Sequence, residues 1–334
     1  MKVLTVIIPS YNTESFIKKN MTTFIDERIF KKVEILLIND GSKDNTAELA
    51  EKYEKDFPGF VRFINKENGG HGSVINRGIQ EAQGKYIKVI DADDWVDTDN
   101  LVKLVKQLDT TDADVVINPY IKVHQQTGEK LLCGTIDNVD DSTFEFNKIV
   151  KANYKIVLHS GTYKTELFRG HGIKVTEKCF YEDFQYTFYP IPYINTVLYD
   201  DHPVYYYLVG QKTQSVNATS GLKNIEMYKK VLFDSVDYYE NIKDSVNDVT
   251  NAYMDNCLSD FIRSMYNIFL RNGNVSNIVN IMRESDNELK SKSTYFYSLV
   301  AKKNRYISLL RLGGIITFKA ISIGFCFYKR NEVS

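Results

Sequence analysis

Three carboxylates crowd the end of one apolar run, Lys88-Val89-Ile90-Asp91-Ala92-Asp93-Asp94-Trp95. Like charges this close repel one another and are costly to bury, so a bound cation is the usual compensation. An Asp-x-Asp step at a strand end suits a divalent ion, Mn2+ or Mg2+, that in turn holds a diphosphate. That is the chemistry of a nucleotide sugar. A second acidic pair, Glu182-Asp183, sits inside the aromatic stretch Phe180-Tyr181-Glu182-Asp183-Phe184-Gln185-Tyr186. Rings on both sides would limit solvent there and raise a carboxyl pKa.

The elements that must position these acids follow from hydrophobic pattern. Val3 to Ile8 is short, apolar and β-branched, as expected of a buried parallel strand, and Pro9-Ser10-Tyr11-Asn12 ends it. A helix follows from Thr13 or Glu14. Val33 to Ile38 repeats the pattern and stops at Asn39-Asp40-Gly41-Ser42, after which Asp44-Asn45-Thr46 can cap a helix over Ala47 to Tyr53. Val61 to Ile64 is a third strand. Asn68-Gly69-Gly70-His71-Gly72 reads as a loop, Ser73 to Gln83 as a helix stopped by Gly84, and Tyr86 to Ile90 as a fourth strand. Repeated strand-helix alternation predicts an α/β fold with a mostly parallel sheet. Ligands bind such sheets at the carboxyl ends of the strands. Tyr11, Asp40, Asn68 and the Asp91–Asp94 cluster all follow strand ends, so one rim should collect them.

Beyond Asp114 the pattern loosens. Val115-Val116-Ile117 is a strand, Tyr120 to Leu132 a hairpin around Thr127-Gly128, and Thr196 to Asp200 and Val204 to Leu208 are further strands. After about Gly221 apolar periodicity predicts helices near 222–242, 246–271, 275–285 and 289–301. The expected division is 1–220, with a nucleotide-binding half over 1–95 and an acceptor half over 96–220, followed by a helical region over 221–334.

Bulk composition excludes several classes. A net charge of −1 on 334 residues supplies no global field for nucleic acid. Cys133, Cys179, Cys257 and Cys326 are scattered without metal-ligand spacing and read as reduced thiols of a cytoplasmic protein. The apolar run at the N-terminus is too short for a signal peptide, and no stretch reads cleanly as a membrane span. The 23 Tyr and 19 Phe could stack on sugar faces, although most belong to the core.

Several motifs in order resemble family 2 glycosyltransferases of the bacterial polysaccharide and glycoconjugate type. They are Val6-Ile7-Ile8-Pro9-Ser10-Tyr11-Asn12, Ile38-Asn39-Asp40-Gly41-Ser42-Lys43-Asp44-Asn45-Thr46, Asn68-Gly69-Gly70 with Asn76-Arg77-Gly78-Ile79, and Gly84-Lys85-Tyr86-Ile87 leading to Asp91-Ala92-Asp93-Asp94. The resemblance runs to about Ser215 and fades beyond Gly221. It implies a GT-A fold, a Rossmann-like, mostly parallel mixed sheet flanked by helices. It also implies a UDP-sugar donor. Asp40 resembles the acid that accepts from the uracil N3–H, with Pro9 and Tyr11 framing the base and Asn12, Asn68, Gly69 and Ala92 beside the nucleotide sugar. Asp91 resembles the acid near the ribose or sugar, and Asp93, with Asp91, the metal ligand. Asp94 on its own would serve as a helix cap.

Inverting transfer needs a base for the acceptor hydroxyl, on the face opposite the leaving diphosphate. Glu182-Asp183 resembles the family's Glu-Asp pair, which makes Asp183 the base and Glu182 a supporting or acceptor-binding acid. Tyr205-Tyr206-Tyr207 resembles the start of a loop that closes over the donor. Where relatives often carry an arginine this chain has Leu208, and Lys212 is the substitute cation. His159 is a candidate for the acceptor side and equally for a structural histidine. His71, between glycines, could contact the donor but reads better as a loop histidine without special role, and Arg77 reads as either a phosphate contact or a solvated helix arginine.

From Lys302 to Arg330 the chain carries seven cations and no acid, interleaved with Leu, Ile and Phe. That suits a helix at an anionic membrane surface, with the protein peripheral at the inner face of the cell membrane, or a basic helix packed on the protein or in a homo-oligomer. The functional expectation is transfer of a hexose or N-acetylhexosamine from a UDP-sugar to a hydroxyl of a glycan, glycoprotein or lipid-linked acceptor. The competing readings are a sugar nucleotidyltransferase and a non-catalytic sugar-binding protein. The first strand ends in Pro-Ser-Tyr-Asn rather than a glycine-rich phosphate loop, which argues against the nucleotidyltransferase. No G-x-G-x-x-G follows that strand, which argues against a dinucleotide dehydrogenase.

Overall fold

The first two apolar runs form the centre of a sheet. Strand β1 (Lys2–Ser10) is buried from Val3 onward and β2 (Val33–Asp40) is buried throughout, as strands covered on both faces must be. The computed structural model describes residues 1–137, 143–210, 220–273 and 275–331, and these divide into two compact units, 1–212 and 213–334.

In the first unit β1 and β2 alternate with α1 (Glu14–Thr22), α2 (Thr46–Asp56), β3 (Val61–Lys66), α3 (His71–Glu81) and β4 (Gly84–Val89). The strands order as β3-β2-β1-β4, all parallel. The chain steps outward from β1 to β3, then returns to the other side of β1. That reversal opens a crevice at the carboxyl ends of β1 and β4, the place where ligands enter open α/β sheets.

The remaining elements of this unit are β5 (Trp95–Val96), α4 (Thr98–Thr110), β6 (Val115–Ile117), β7 (Tyr120–His124), β8 (Lys130–Cys133), β9 (Thr143–Glu145), α5 (Asn147–Lys151), β10 (Gly161–Lys164), α6 (Thr165–Arg169), α7 (Asp183–Phe188), β11 (Thr196–Tyr199) and β12 (Tyr205–Val209). Beyond β4 the main sheet continues β10-β6-β11-β9, with β10 antiparallel to both β4 and β6. The result is the expected mixed GT-A architecture. A smaller sheet, β5-β12-β7-β8, contains the predicted hairpin as β7 and β8. Strands β9 and β10 have no counterpart in the sequence reading. They are three and four residues long, too short for a period to register, and β10 opens on a glycine.

The second unit is helical: α8 (Ser220–Lys223), α9 (Ile225–Ile242), α10 (Asp248–Arg271), α11 (Ile278–Lys292), α12 (Thr294–Lys303), α13 (Arg305–Leu312) and α14 (Ile315–Asn331). Along α10 the buried side chains Met254, Leu258, Ile262, Met265, Tyr266 and Phe269 recur at helical spacing. The break expected after 285 falls later, at Ser293, whose hydroxyl accepts from the Phe296 amide at 3.1 Å and caps α12. Arg311 leaves the set of surface cations expected of the tail. Its guanidinium pairs with Asp286 at 2.8 Å and lies 3.7 Å over the Tyr297 ring. No helix among the described residues is long and apolar enough to cross a membrane.

Candidate active site

The acid cluster turns sharply as the chain leaves β4. The Asp94 amide donates to the Asp91 carbonyl at 3.0 Å, and the Asn20 side chain of α1 donates to the Asp91 and Asp94 carbonyls at 3.2 and 2.9 Å. Within this turn the carboxylates part. Asp94 points inward, where its oxygens accept from the Tyr205 hydroxyl at 2.6 Å and the Leu208 amide at 2.7 Å. Asp94 is therefore the tie between the acid turn and β12, and Asp97 caps α4 instead by accepting from the Asn100 amide at 3.0 Å. Burial, then the charges of Asp91 and Asp93, push the Asp94 carboxyl well above its usual range. Asp91 turns the other way and meets His71.

His71 is the first residue of α3, two residues earlier than the helix predicted from Ser73. Its Nε2 lies 3.0 Å from Asp91 Oδ1 and its Nδ1 2.7 Å from Glu182 Oε1, with Asp183 Oδ1 at 3.6 Å. Ionised carboxylates only accept hydrogen bonds, so both ring nitrogens donate and the ring is an imidazolium. Burial opposes the charge, but the hydrogen bonds to Asp91 and Glu182 outweigh it and hold the ring well above its ordinary pKa. This histidine, read from sequence as a featureless loop residue, is the hub of the site.

Segment 175–183 is locked onto α3. Asn76 exchanges hydrogen bonds with the Val175 backbone at 2.9 Å in both directions. The Lys178 amide donates to the Gly69 carbonyl at 2.8 Å. A side chain at Gly72 would collide with the Thr176 carbonyl, so glycine permits this approach. Lys178 and Tyr181 take left-handed conformations, φ 56° and 75°. Backbone strain of this kind persists where surrounding contacts impose it. It delivers Glu182 and Asp183 to the start of α7. They occupy the helix N-terminus without a side-chain cap bond. Glu182 is buried, and its second oxygen, Oε2, accepts from no described residue. The Asp183 side chain is 54% exposed. Desolvation, offset by His71 and reinforced by Glu182 and Asp91, pushes its carboxyl up to about 7; solvent at the exposed oxygen opposes that push. The aromatic shield expected around it is partial, since Tyr186 is buried while Phe180 is exposed.

On the nucleotide side Asp40 ends β2 and anchors the glycine loop. It pairs with Lys66 at 2.6 Å and accepts from the Gly69 and Gly70 amides at 2.9 and 2.8 Å. Asn68 donates to the Asp40 carbonyl at 2.9 Å. Asn12, in a left-handed conformation, accepts from the Lys43 amide at 2.8 Å and so joins the loops after β1 and β2. Tyr11 is exposed, whereas Pro9 is buried within β1 and Ala92 within the acid turn. Arg77 pairs with Glu81 one turn along α3, at 3.0 Å, as a surface helix arginine. Lys212 lies outside the described residues.

His159 lies on the other flank. Its ring stacks on Tyr120 and Tyr207 and meets Tyr205 edge-on. Burial pushes it down to about 4, against the pull of Asp91, so it is neutral and keeps a lone pair. Asp91, Asp94 and His159 present ligand atoms within 4.8 Å of one another. Crowded carboxylates beside an unprotonated imidazole fit a divalent cation. With Asp94 committed to β12, Asp91 and His159 are the members of that group able to hold one, next to Asp93 in the same turn. Behind them Lys88 is wholly buried, donating to the His159 and Gly161 carbonyls at 3.2 Å each.

Comparison with known proteins addresses the family and the fold. The Glycosyl transferase family 2 model matches residues 5–172, half of the chain. The putative glycosyltransferase EpsH of Bacillus subtilis is 25% identical over 70% of this chain and 65% of its own length. Glycosyltransferase GlyA of Streptococcus pneumoniae is 30% identical over 37% of this chain and 18% of its own length. The chain thus spans less than two thirds of the length of these curated relatives. Among solved structures, residues 1–349 of TarS from S. aureus superpose with a TM-score of 0.66 at 17% identity, covering 99% of this chain and 92% of that one. A family model that spans half the sequence, on a matching fold, shows that the chain belongs to glycosyltransferase family 2.

Proposed function

We propose that the protein is an inverting, metal-assisted glycosyltransferase that moves a hexose or N-acetylhexosamine from a UDP-sugar to an acceptor hydroxyl in cell-surface glycan synthesis. The observation that carries this reading is the single cluster in which His71 joins the acid turn after β4 to the Glu182-Asp183 pair. In this reading residues 1–95 bind the nucleotide and 96–220 receive the acceptor. Asp183 takes the acceptor proton as the acceptor oxygen attacks the anomeric carbon, and the bond from that carbon to the diphosphate oxygen breaks on the opposite face. Glu182, buried with its Oε1 2.7 Å from His71 Nδ1, supports the base by holding that ring. Asp91, Asp93 and His159 would hold Mn2+ or Mg2+, which stabilises charge developing on the leaving diphosphate.

On the nucleotide side Tyr11 and Pro9 frame the base, with Asn12, Asn68, Gly69 and Ala92 around the ribose and diphosphate. Asp40 reads the uracil N3–H once Lys66 yields its oxygen. The donor assignment draws on TarS, solved with UDP-GlcNAc and with UDP. The process draws on a partial match to the minor teichoic acid biosynthesis protein GgaB of Bacillus subtilis. The structural neighbour PcManGT of Pyrobaculum calidifontis was solved with GDP-Man and Mn2+, which makes GDP-mannose the informative control. We place the reaction in the cytoplasm, the compartment that suits a chain whose four cysteines are scattered through the sequence.

The test is release of nucleoside diphosphate from UDP-GlcNAc, UDP-glucose, UDP-galactose and GDP-mannose, with Mn2+ and with chelator. Metal-dependent release of UDP is expected. Release of GDP alone would overturn the donor class, and donor binding without any turnover would favour a binding protein.

A further inference from the structure

The described chain ends in α13 and α14, which show two different faces. On the inner face Ile307, Leu310, Phe318 and Ser322 are buried. The Ser322 hydroxyl donates to the Leu270 carbonyl of α10 at 2.6 Å, and Arg311 is drawn to Asp286. The outer face is apolar and uncovered. Leu309 and Leu312 lie one turn apart on α13, with Leu312 87% exposed. Ile316 and Ile323 lie two turns apart on α14 at 81% and 61% exposure, and Ile315 is exposed beside them. A stripe of large aliphatic side chains in water is a docking surface by the ordinary logic of exposed apolar patches.

Charge selects the partner. Lys302, Arg305 and Lys319 are exposed along this same segment and pair with no acid among the described residues. No Asp or Glu occurs between Lys302 and Arg330. A second copy docking through the same patch would set cations against cations. Anionic lipid headgroups supply the missing negative charge, and the acyl boundary beneath them takes the aliphatic stripe.

We propose that α13 and α14 form a membrane-surface anchor. Leu309, Leu312, Ile315, Ile316 and Ile323 enter the acyl boundary of an anionic leaflet, and Arg305 and Lys319 stay at its headgroups. The buried inner face keeps the anchor attached to the bundle, so the helices lie along the surface. This inference is independent of the reaction assigned to the first unit.

Sedimentation of the full chain with vesicles tests it, using phosphatidylcholine alone and phosphatidylcholine mixed with phosphatidylglycerol. Binding is expected only with phosphatidylglycerol and should weaken as salt rises. The double variant Ile316→Asp, Ile323→Asp should lose binding, and Arg305→Glu and Lys319→Glu should each lower affinity about five-fold or more. All four side chains are exposed, so these variants should keep the wild-type melting temperature. Three results would overturn the proposal: no binding to phosphatidylglycerol vesicles, binding unchanged in the Asp double variant, or a dimer that this variant disrupts in a protein that ignores vesicles.

Discussion

His71 Nδ1 stands 2.7 Å from Glu182 Oε1, a contact between residues 111 positions apart. With its other nitrogen on Asp91, the ring couples the two acidic clusters from which the reaction is built. It also sets a positive charge 3.6 Å from Asp183 Oδ1.

Replacing His71 should therefore alter the base as well as the fold. In His71→Gln we expect kcat to fall about 10- to 100-fold, a size typical of lost positioning and acid–base assistance, with KM for the donor changed much less. The cation beside Asp183 lowers its pKa, so removing it raises that pKa. The acidic limb of the pH–rate profile, expected near 7 in the wild type, should move to higher pH. A purely structural histidine would lower the amount of active enzyme and leave the limb in place.

Metal dependence should reside in the acid turn. Calorimetry with UDP is expected to show binding strengthened by Mn2+ in the wild type, and Asp93→Ala should lose that increment while still binding UDP without metal. Unchanged metal-dependent binding in Asp93→Ala would remove Asp93 from the ligand set.

Lys88 offers a prediction about stability. Burial pushes its ammonium down to about 7 from its ordinary value of 10.5. Between those values the unfolded chain binds a proton that the folded chain does not, so stability rises with pH across the window, by about 1.4 kcal/mol per unit. The contribution is complete above the unfolded pKa and lost as pH falls through about 7. The raised His71 works in the opposite direction, so the quantity to measure is the difference between wild type and Lys88→Met. Urea unfolding at pH 7.5 and pH 9, values chosen to fall inside about the same window, should show the wild type gaining on the variant. A constant difference would mean that Lys88 titrates normally.

The sheet was legible because β1 and β2 are apolar runs buried on both faces, and the Asp-x-Asp turn was legible because its acids are adjacent in the chain. The Glu182-Asp183 pair was also visible, as two acids among aromatic residues. Its alignment with Asp91 was not, because a contact across 111 residues leaves no local period. His71 is hidden for the same reason, since a histidine between glycines looks like a loop residue in sequence although α3 starts there. Asp94 looks like a cap in the sequence because its partners, Tyr205 and Leu208, arrive from a distant strand. Arg311 resembles the other tail cations in sequence, and only the position of Asp286 on α11 separates it from them.

The most direct test of the account is Asp183→Asn. The substitution preserves size while removing the carboxylate's charge and with it the ability to accept a proton. We expect UDP-sugar binding within about two-fold of wild type and transfer reduced by roughly 100-fold or more, the usual cost of losing a general base. Full transfer by Asp183→Asn, with binding intact, would contradict the assignment of Asp183 as the base and with it the catalytic role given to this cluster.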